Sequence, residues 1–197
     1  MNDKNNISNI EINNFELDQM LNKERILLES ECAYFENSKY DETNHQYFDY
    51  YSDDENFLNQ FLENLTNKTI SLEQIEGDEQ GEHSFEECIK KLIERKYLIE
   101  YSGYNSEYIF ELLNDSFNLN INKDYFYKMI KEKYDKYDLT KRGLIEELQI
   151  IEMCKLLKEK GLGIVYLYSI GDFYCYGVFS IDKIKKLKSL FKTLYDL

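Results

Sequence analysis

The strongest pattern of apolar positions lies near the end of the chain, in residues 161–181. Two runs of β-branched and aromatic residues there flank a Gly171-Asp172 pair, which is typical of a β-hairpin with a two-residue turn. Pairing the strands about that turn places Tyr166 opposite Gly177 and gives both faces apolar or aromatic side chains. Since neither face suits water, we expect the hairpin to be covered on both sides and to form the centre of the core.

Apolar residues at three- and four-residue spacing predict helices along most of the remaining chain. The first predicted helix spans residues 15–35, and a second begins near Ser52, where the acidic turn Ser-Asp-Asp-Glu suits the helix dipole. Ser84 and Glu87 have the spacing of a capping box that starts a third. Further patterns cover residues 106–117, 122–137 and 140–160, and Asp182 is predicted to cap a final helix.

The segments between these helices predict two short strands, a loop and a tail. Residues 97–101 are a candidate strand expected to pair with the hairpin, and the alternating Ile70 and Leu72 with the later Ile75 indicate a short edge strand. Residues 37–52 are predicted to be a loop and residues 1–13 a disordered tail. The predicted fold is one α+β domain over residues 14–197, a small antiparallel sheet centred on the C-terminal hairpin and surrounded by about six helices.

Negative charge is concentrated in the first half of the chain. Positions 1–87 hold 22 acidic and 5 basic residues, whereas positions 88–197 hold 16 and 19, for a net charge of −14. Such asymmetry either steers a protein toward a basic partner or keeps it soluble, and solubility is the commoner cause.

The chain shows no sign of secretion or membrane insertion. It begins with a polar, Asn-rich stretch and has no run of 18 apolar residues. Its four cysteines are far apart and form no Cys-x-x-Cys pair, so we expect them to be buried thiols in a reducing compartment. The sequence therefore predicts a cytoplasmic protein without membrane contact.

Motifs for catalysis and for cofactor or metal binding are absent from the sequence. Gly161-Leu-Gly163 follows a helix and opens a strand, the reverse of a dinucleotide-binding fingerprint, and a helix cap explains it better. His45 and His83 lie in acidic loops without a ligand spacing. Lys and Tyr interleave over residues 125–142, but interspersed acids favour a solvated helix face. We therefore expect no catalytic residue, no cofactor, no metal site and no direct nucleic-acid binding.

Two segments of the second half form a recognisable combination. One is the helix that begins at Phe85 and leads into Tyr97-Leu98, and the other is Lys160-Gly161-Leu162 followed by the Ser169-Ile-Gly-Asp-Phe-Tyr174 turn. Together they resemble a family of uncharacterised bacterial proteins known only as a domain of unknown function. The resemblance implies a bacterial cytosolic α+β domain and carries over no activity and no site residue.

Three functional hypotheses follow. The first is a non-enzymatic, acidic protein-binding module, such as an immunity or inhibitor protein that blocks a basic partner, for example a nuclease toxin. In it, acids supply steering and tyrosines supply contact area. Its predicted contact residues are Asp41, Glu42, Tyr47, Asp49, Tyr50, Tyr51, Asp53 and Asp54. The second hypothesis is a carboxylate- or metal-dependent hydrolase whose acids are brought together by folding, and the third is nucleic-acid mimicry by the acidic half.

Overall fold

Seven α-helices and six β-strands make up the described part of a computed structural model, which covers residues 3–41, 46–49, 51–75, 83–101, 109–137, 139, 144–169 and 173–195. The helices are α1 Asp3–Ser30, α2 Glu55–Thr66, α3 Phe85–Glu94, α4 Ile109–Ser116, α5 Lys123–Tyr134, α6 Leu144–Lys158 and α7 Ile181–Tyr195. The strands are β1 Tyr34–Glu36, β2 Ser38–Asp41, β3 Gln46–Asp49, β4 Ile99–Tyr101, β5 Leu162–Ser169 and β6 Phe173–Ser180. The predicted α+β class is confirmed.

Four of the strands form one sheet in the order β1-β5-β6-β4. β5 and β6 are the two strands of the predicted hairpin, and β4 pairs antiparallel with β6, as expected for residues 97–101. β1 pairs parallel with β5, so the sheet is mixed and not purely antiparallel. A parallel neighbour requires a long crossover connection, which the elements between β1 and β5 provide.

The register of the hairpin differs by one residue from the predicted register. Tyr166 pairs with Tyr176, whereas a two-residue turn would pair it with Gly177. The strands end at Ser169 and begin again at Phe173, so three residues separate them, and the predicted turn residues among these lie outside the described ranges. Because side chains alternate along a strand, a shift by one residue exchanges the two faces.

The observed register places the tyrosines at positions 166, 174 and 176 on one face of the hairpin. Both faces of the sheet are covered, as predicted. Val165, Leu167 and Cys175 belong to an apolar core shared with α2, α3 and α7. Ile164 and Tyr176 belong to a second core shared with α1, α4, α5 and α6, against which Tyr166 and Tyr174 are partly buried. The fold thus has three layers, and its tyrosine-rich sheet face lies toward α1 and α6.

The predicted helix over residues 15–35 combines a helix and a strand. α1 begins at Asp3 and ends at Ser30, and Cys32, with a φ of 56°, takes the left-handed conformation that commonly stops a helix. The chain then enters the sheet as β1, whose Phe35 is buried. Helical spacing concealed this strand because a buried strand and a buried helix both place apolar residues in a short run.

Two further segments differ from the sequence prediction. β2 and β3 pair with each other as a separate two-stranded sheet, within the predicted loop of residues 37–52. The predicted edge strand around Ile70 and Ile75 is instead a 3₁₀ turn, Leu72–Gln74, whose apolar neighbours enter the core next to α2. The alternating apolar residues of this segment are buried in the core, but they do not pair as a strand.

Most predicted helix ends are confirmed by their caps. Asp54 caps α2, the Ser84 and Glu87 side chains form the expected capping box of α3, and Gly161 has the left-handed φ of +71° expected after α6. The predicted cap of the last helix, Asp182, lies two residues after the observed cap. α7 begins at Ile181, and its cap is Ser180, whose hydroxyl accepts a hydrogen bond from Lys183 N at 3.4 Å.

We expect Gly163→Ala to lower the free energy of unfolding by about 3 kcal/mol, near the upper end for overpacking. A Cβ at this position would lie 2.5 Å from the carbonyl oxygen of Ala33 in the chain entering β1, and a backbone atom cannot rotate away. Gly161→Ala is the comparison, because a Cβ there meets nothing within 4 Å and only the left-handed backbone is strained, which costs about 1 kcal/mol. Urea denaturation measures both. A smaller loss for Gly163→Ala than for Gly161→Ala would contradict the close approach of β1 to β5.

Candidate functional site

The eight predicted contact residues fall into three groups. Asp41, Tyr47 and Asp49 lie on the backbone of β2 and β3, and Glu42 and Tyr50 lie outside the described residues. Tyr51, Asp53 and Asp54 lie in the segment that leads into α2, and their side chains are described. The geometry of the predicted surface is therefore described from Tyr51, Asp53 and Asp54.

Asp53 and Asp54 each accept a hydrogen bond at the start of a helix. Asp54 Oδ1 accepts from Phe57 N at 3.0 Å within α2, and Asp53 Oδ1 accepts from Phe85 N at 2.7 Å at the start of α3. The second bond joins segments that are 32 residues apart in sequence. It sets the beginnings of α2 and α3 side by side.

This contact gathers carboxylates from both helices. We call the group the acidic junction, which consists of Asp53, Asp54, Glu55, Glu86 and Glu87. The three residues from the α2 side are exposed, and the two from α3 are half-buried. Besides the two aspartates, two further members have partners within the chain. Glu87 accepts a hydrogen bond from Ser84 N, and Glu86 forms an ion pair with Lys90. Carboxylates in the first turn are also stabilised by the helix dipole.

A cluster of aromatic rings lies directly beneath the acidic junction. Tyr51 stacks on Phe85 with ring centroids 5.7 Å apart, and Phe85 contacts Phe61 at 4.9 Å. Phe57 and Phe191 of α7 complete the cluster, with their centroids 5.2 Å apart. Rings packed closely against one another in this way hold the starts of both helices in fixed positions.

A second candidate site lies on the opposite face of the sheet, where a cleft of about 360 Å³ opens between α1, α6 and β1, β5 and β6. We call it the tyrosine–glutamate cleft. Three tyrosines and three glutamates line it: Tyr34, Tyr166, Tyr176, Glu36, Glu146 and Glu147. Arg25 also reaches its wall, so carboxylates outnumber cationic groups among these residues.

Glu146 accepts a hydrogen bond at each of its two carboxylate oxygens. Its Oε1 accepts from the hydroxyl of Tyr176 at 3.0 Å, and its Oε2 accepts from the hydroxyl of Tyr101 at 3.2 Å. Burial raises the pKa of Glu146 above its ordinary value, although both hydrogen bonds act in the opposite direction. Burial, followed by the nearby Glu146 charge, in turn raises the pKa of Tyr101 and Tyr176. Both tyrosines are therefore neutral hydroxyl donors.

Because of the observed register of the hairpin, tyrosine rings of β5 and β6 stack on one another beside the cleft. The Tyr166 ring stacks on Tyr176 with centroids 4.7 Å apart and on Tyr174 with centroids 6.0 Å apart. On the neighbouring strand, the hydroxyl of Tyr34 donates to Glu36 Oε2 at 3.1 Å. Sequence reasoning missed this site because the predicted register put Tyr166 on the face opposite to Tyr176. With the correct register, tyrosines at alternate positions of β6 would have been the signal.

A different arrangement surrounds Glu152, the buried glutamate of α6. Glu152 is 4% exposed, and its Oε1 accepts from Lys133 at 2.7 Å, Tyr134 at 2.7 Å and Lys155 at 2.9 Å. Burial alone would raise the pKa of Glu152, but these hydrogen bonds outweigh it and the pKa is lowered. Lys155 also pairs with Glu24 of α1 at 3.2 Å. The cluster joins α1, α5 and α6, and it is a structural centre.

The environments of the cysteines do not favour thiol chemistry. All four are buried and free of disulfides. Burial raises the pKa of Cys88 and Cys175 to about 12 and that of Cys154 still further. Near neutral pH these three thiols are protonated and are poor nucleophiles.

The stretch of interleaved Lys and Tyr forms much of α5, and several of its lysines are engaged within the chain. Lys133 pairs with the buried Glu152, Lys123 with Glu111, and Lys128 with Glu132 at 3.7 Å. Of these three pairs, Lys128–Glu132 lies on an exposed face of α5, as expected for a solvated helix face, whereas the other two join α5 to α6 and to α4. Among the described residues, no group of three or more His, Cys, Asp or Glu side chains is arranged to hold a metal ion.

Comparison with known proteins gives no relative, since no family model, no curated protein and no solved structure matches the chain. The resemblance to a bacterial domain of unknown function therefore stays a prediction. Within the described ranges, every helix is too short or too polar to cross a lipid bilayer.

Proposed function

We propose that this protein is a non-enzymatic, acidic binding module for a protein with a basic surface, of the immunity or inhibitor kind, and that it works in the cytoplasm. The observation that carries the proposal is the hydrogen bond from Phe85 N to Asp53. It joins the starts of two helices and turns carboxylates that are distant in sequence into one surface.

The acidic junction has two properties that suit a contact surface. Its exposed members Asp53, Asp54 and Glu55 add to the strongly negative field of the first half of the chain, and such a field accelerates encounter with a basic partner. The aromatic cluster below it is buried and tightly packed, so the carboxylates are presented from a rigid base. A rigid surface loses little conformational entropy on binding.

Tyr51 supplies the aromatic part of the proposed contact. Its ring stacks on the buried Phe85 and remains half-buried at the edge of the acidic junction. A tyrosine fixed in this way offers a large contact area at a low entropic cost, which is why tyrosine is common at binding hot spots.

Neutralising the predicted surface is expected to reduce capture of a basic partner at least tenfold. The test variant carries Asp41→Asn, Glu42→Gln, Asp49→Asn, Asp53→Asn and Asp54→Asn. Asn is chosen for positions 53 and 54 because its side-chain oxygen still accepts the two helix-start hydrogen bonds. Tagged wild-type chain is expected to retain one basic protein from native cytosol in low salt and to lose it in high salt, and the variant is expected to retain at least tenfold less, as judged by quantitative mass spectrometry.

The control removes the same number of charges from the other half of the chain. It carries Asp124→Asn, Glu132→Gln, Asp135→Asn, Glu159→Gln and Asp182→Asn, all at exposed positions. Capture by this control should equal capture by the wild type. If both variants lose the partner equally, net charge and not the predicted surface governs the interaction, and the assignment is wrong.

A further inference from the structure

Two glutamates of α6, Glu152 and Glu146, are surrounded by different partners. Glu152 receives two lysines, Lys133 and Lys155, besides a tyrosine hydroxyl. Glu146 receives two tyrosine hydroxyls and, among the described residues, no ion pair. Taking a carboxylate out of water without a cation is unfavourable, and Glu146, unlike Glu152, lines an open cleft.

The size and the walls of the tyrosine–glutamate cleft suit a small organic group. Its volume of about 360 Å³ lies within the usual range for ligand pockets. Tyr34, Tyr166 and Tyr176 line the cleft together with Glu146, and the Tyr166 and Tyr176 rings stack on each other. Aromatic faces attract cations, and they do so more strongly where water is partly excluded.

The hydrogen bonds at Glu146 leave room for a planar, forked donor. Each of its two oxygens accepts one tyrosine hydroxyl, and a carboxylate oxygen has a further lone pair. A guanidinium group donates two parallel hydrogen bonds to a carboxylate, and an ammonium group donates one or two. Arg25 also lines the cleft, but its described polar contacts lie within α1: Asn22 Oδ1 accepts from its Nη2 at 3.2 Å, and Glu29 Oε1 lies 3.9 Å from its Nε.

We propose that the tyrosine–glutamate cleft binds an organic cation, a guanidinium or alkylammonium group, which pairs with Glu146 and packs against the rings of Tyr34 and Tyr166. The ligand is either a free small molecule or the side chain of an Arg or Lys from another protein. The cleft lies on the sheet face opposite to the acidic junction, so this site does not depend on the proposed function.

Calorimetric titration of the full chain with n-butylguanidinium tests the proposal, and n-butylurea serves as a neutral probe of nearly the same shape. We expect saturable binding of n-butylguanidinium and at least tenfold weaker binding of n-butylurea. Glu146→Gln should lower the affinity for n-butylguanidinium at least tenfold, because it removes the charge and leaves the shape. Glu159→Gln, an exposed glutamate that follows α6, should leave the affinity unchanged.

A second variant keeps the test decisive if Glu146→Gln does not fold. Glu36→Gln removes a carboxylate from the rim of the same cleft and is expected to weaken binding at least threefold. Equal binding of n-butylurea, no saturable binding of n-butylguanidinium, or equal affinity of the wild type and the cleft variants would overturn the proposal.

The same titration separates the two sources of the cation. Arginine blocked at both ends mimics a residue within a protein chain. If blocked arginine binds at least as tightly as n-butylguanidinium, the natural ligand is a protein side chain. If n-butylguanidinium binds and blocked arginine does not, the cleft accepts a free small molecule.

Discussion

Replacing Phe61 with Ala is expected to lower the free energy of unfolding by about 3–5 kcal/mol, the usual loss for a buried phenylalanine. Phe61 is 0% exposed and contacts the rings of Phe57, Phe85 and Phe191 at centroid distances of 6.2, 4.9 and 6.3 Å. Its loss leaves a cavity among three helices that cannot all collapse into it. The measurement is urea denaturation monitored by circular dichroism.

Phe15→Ala is the matched control for Phe61→Ala. Phe15 is 64% exposed on α1, so its removal should change the free energy of unfolding by no more than about 0.5 kcal/mol. A similar loss for both variants would mean that the aromatic cluster does not hold α2, α3 and α7 together.

Glu152→Ala is expected to lower the free energy of unfolding by about 3 kcal/mol at neutral pH, as when one member of a buried ion pair is removed. The substitution leaves the buried Tyr134 hydroxyl without its acceptor and removes the shared partner of Lys133 and Lys155. Glu159→Ala, which alters an exposed glutamate just after the same helix, should change stability by less than about 0.5 kcal/mol.

The effect of Glu152→Ala should also depend on pH. Because the pKa of Glu152 is lowered on folding, the folded protein keeps this group ionised to lower pH than the unfolded chain does. Its contribution to stability is therefore present above the unfolded value of about 4.3 and is lost as the pH falls through the lowered folded pKa. The difference in stability between wild type and variant should shrink as the pH is lowered below about 4, and a difference that grows in acid would contradict this role.

Local patterns carried much information about the fold. The capping residues Asp54, Ser84 and Gly161 and the apolar face of α2 were visible in sequence because helix ends and helix faces depend on neighbouring residues. The hairpin, with both of its faces covered, was visible for the same reason. Non-local features were not visible. β1 is a strand because β5 lies beside it, and its Tyr34 pairs with Ile164 across most of the chain.

The same difference between local and non-local features applies to the candidate sites. The acidity of Asp53 and Asp54 could be predicted, but their union with α3 depends on one hydrogen bond to Phe85 that no spacing indicates. The tyrosine–glutamate cleft was missed because a shift of one residue in the hairpin decides whether Tyr166 joins Tyr176. No local pattern singles out Glu146, because Tyr101 and Tyr176 reach it only in the folded chain.

The measurement that tests the proposed function most directly is photo-cross-linking at two single positions. A photoreactive residue replaces Glu55 in the acidic junction or, in the control, Glu159 after α6; both side chains are exposed. If the acidic junction is the contact surface, position 55 cross-links a basic protein from native cytosol in low salt, and position 159 does not. Cross-linking of the same protein from position 159, with none from position 55, would contradict the proposed function.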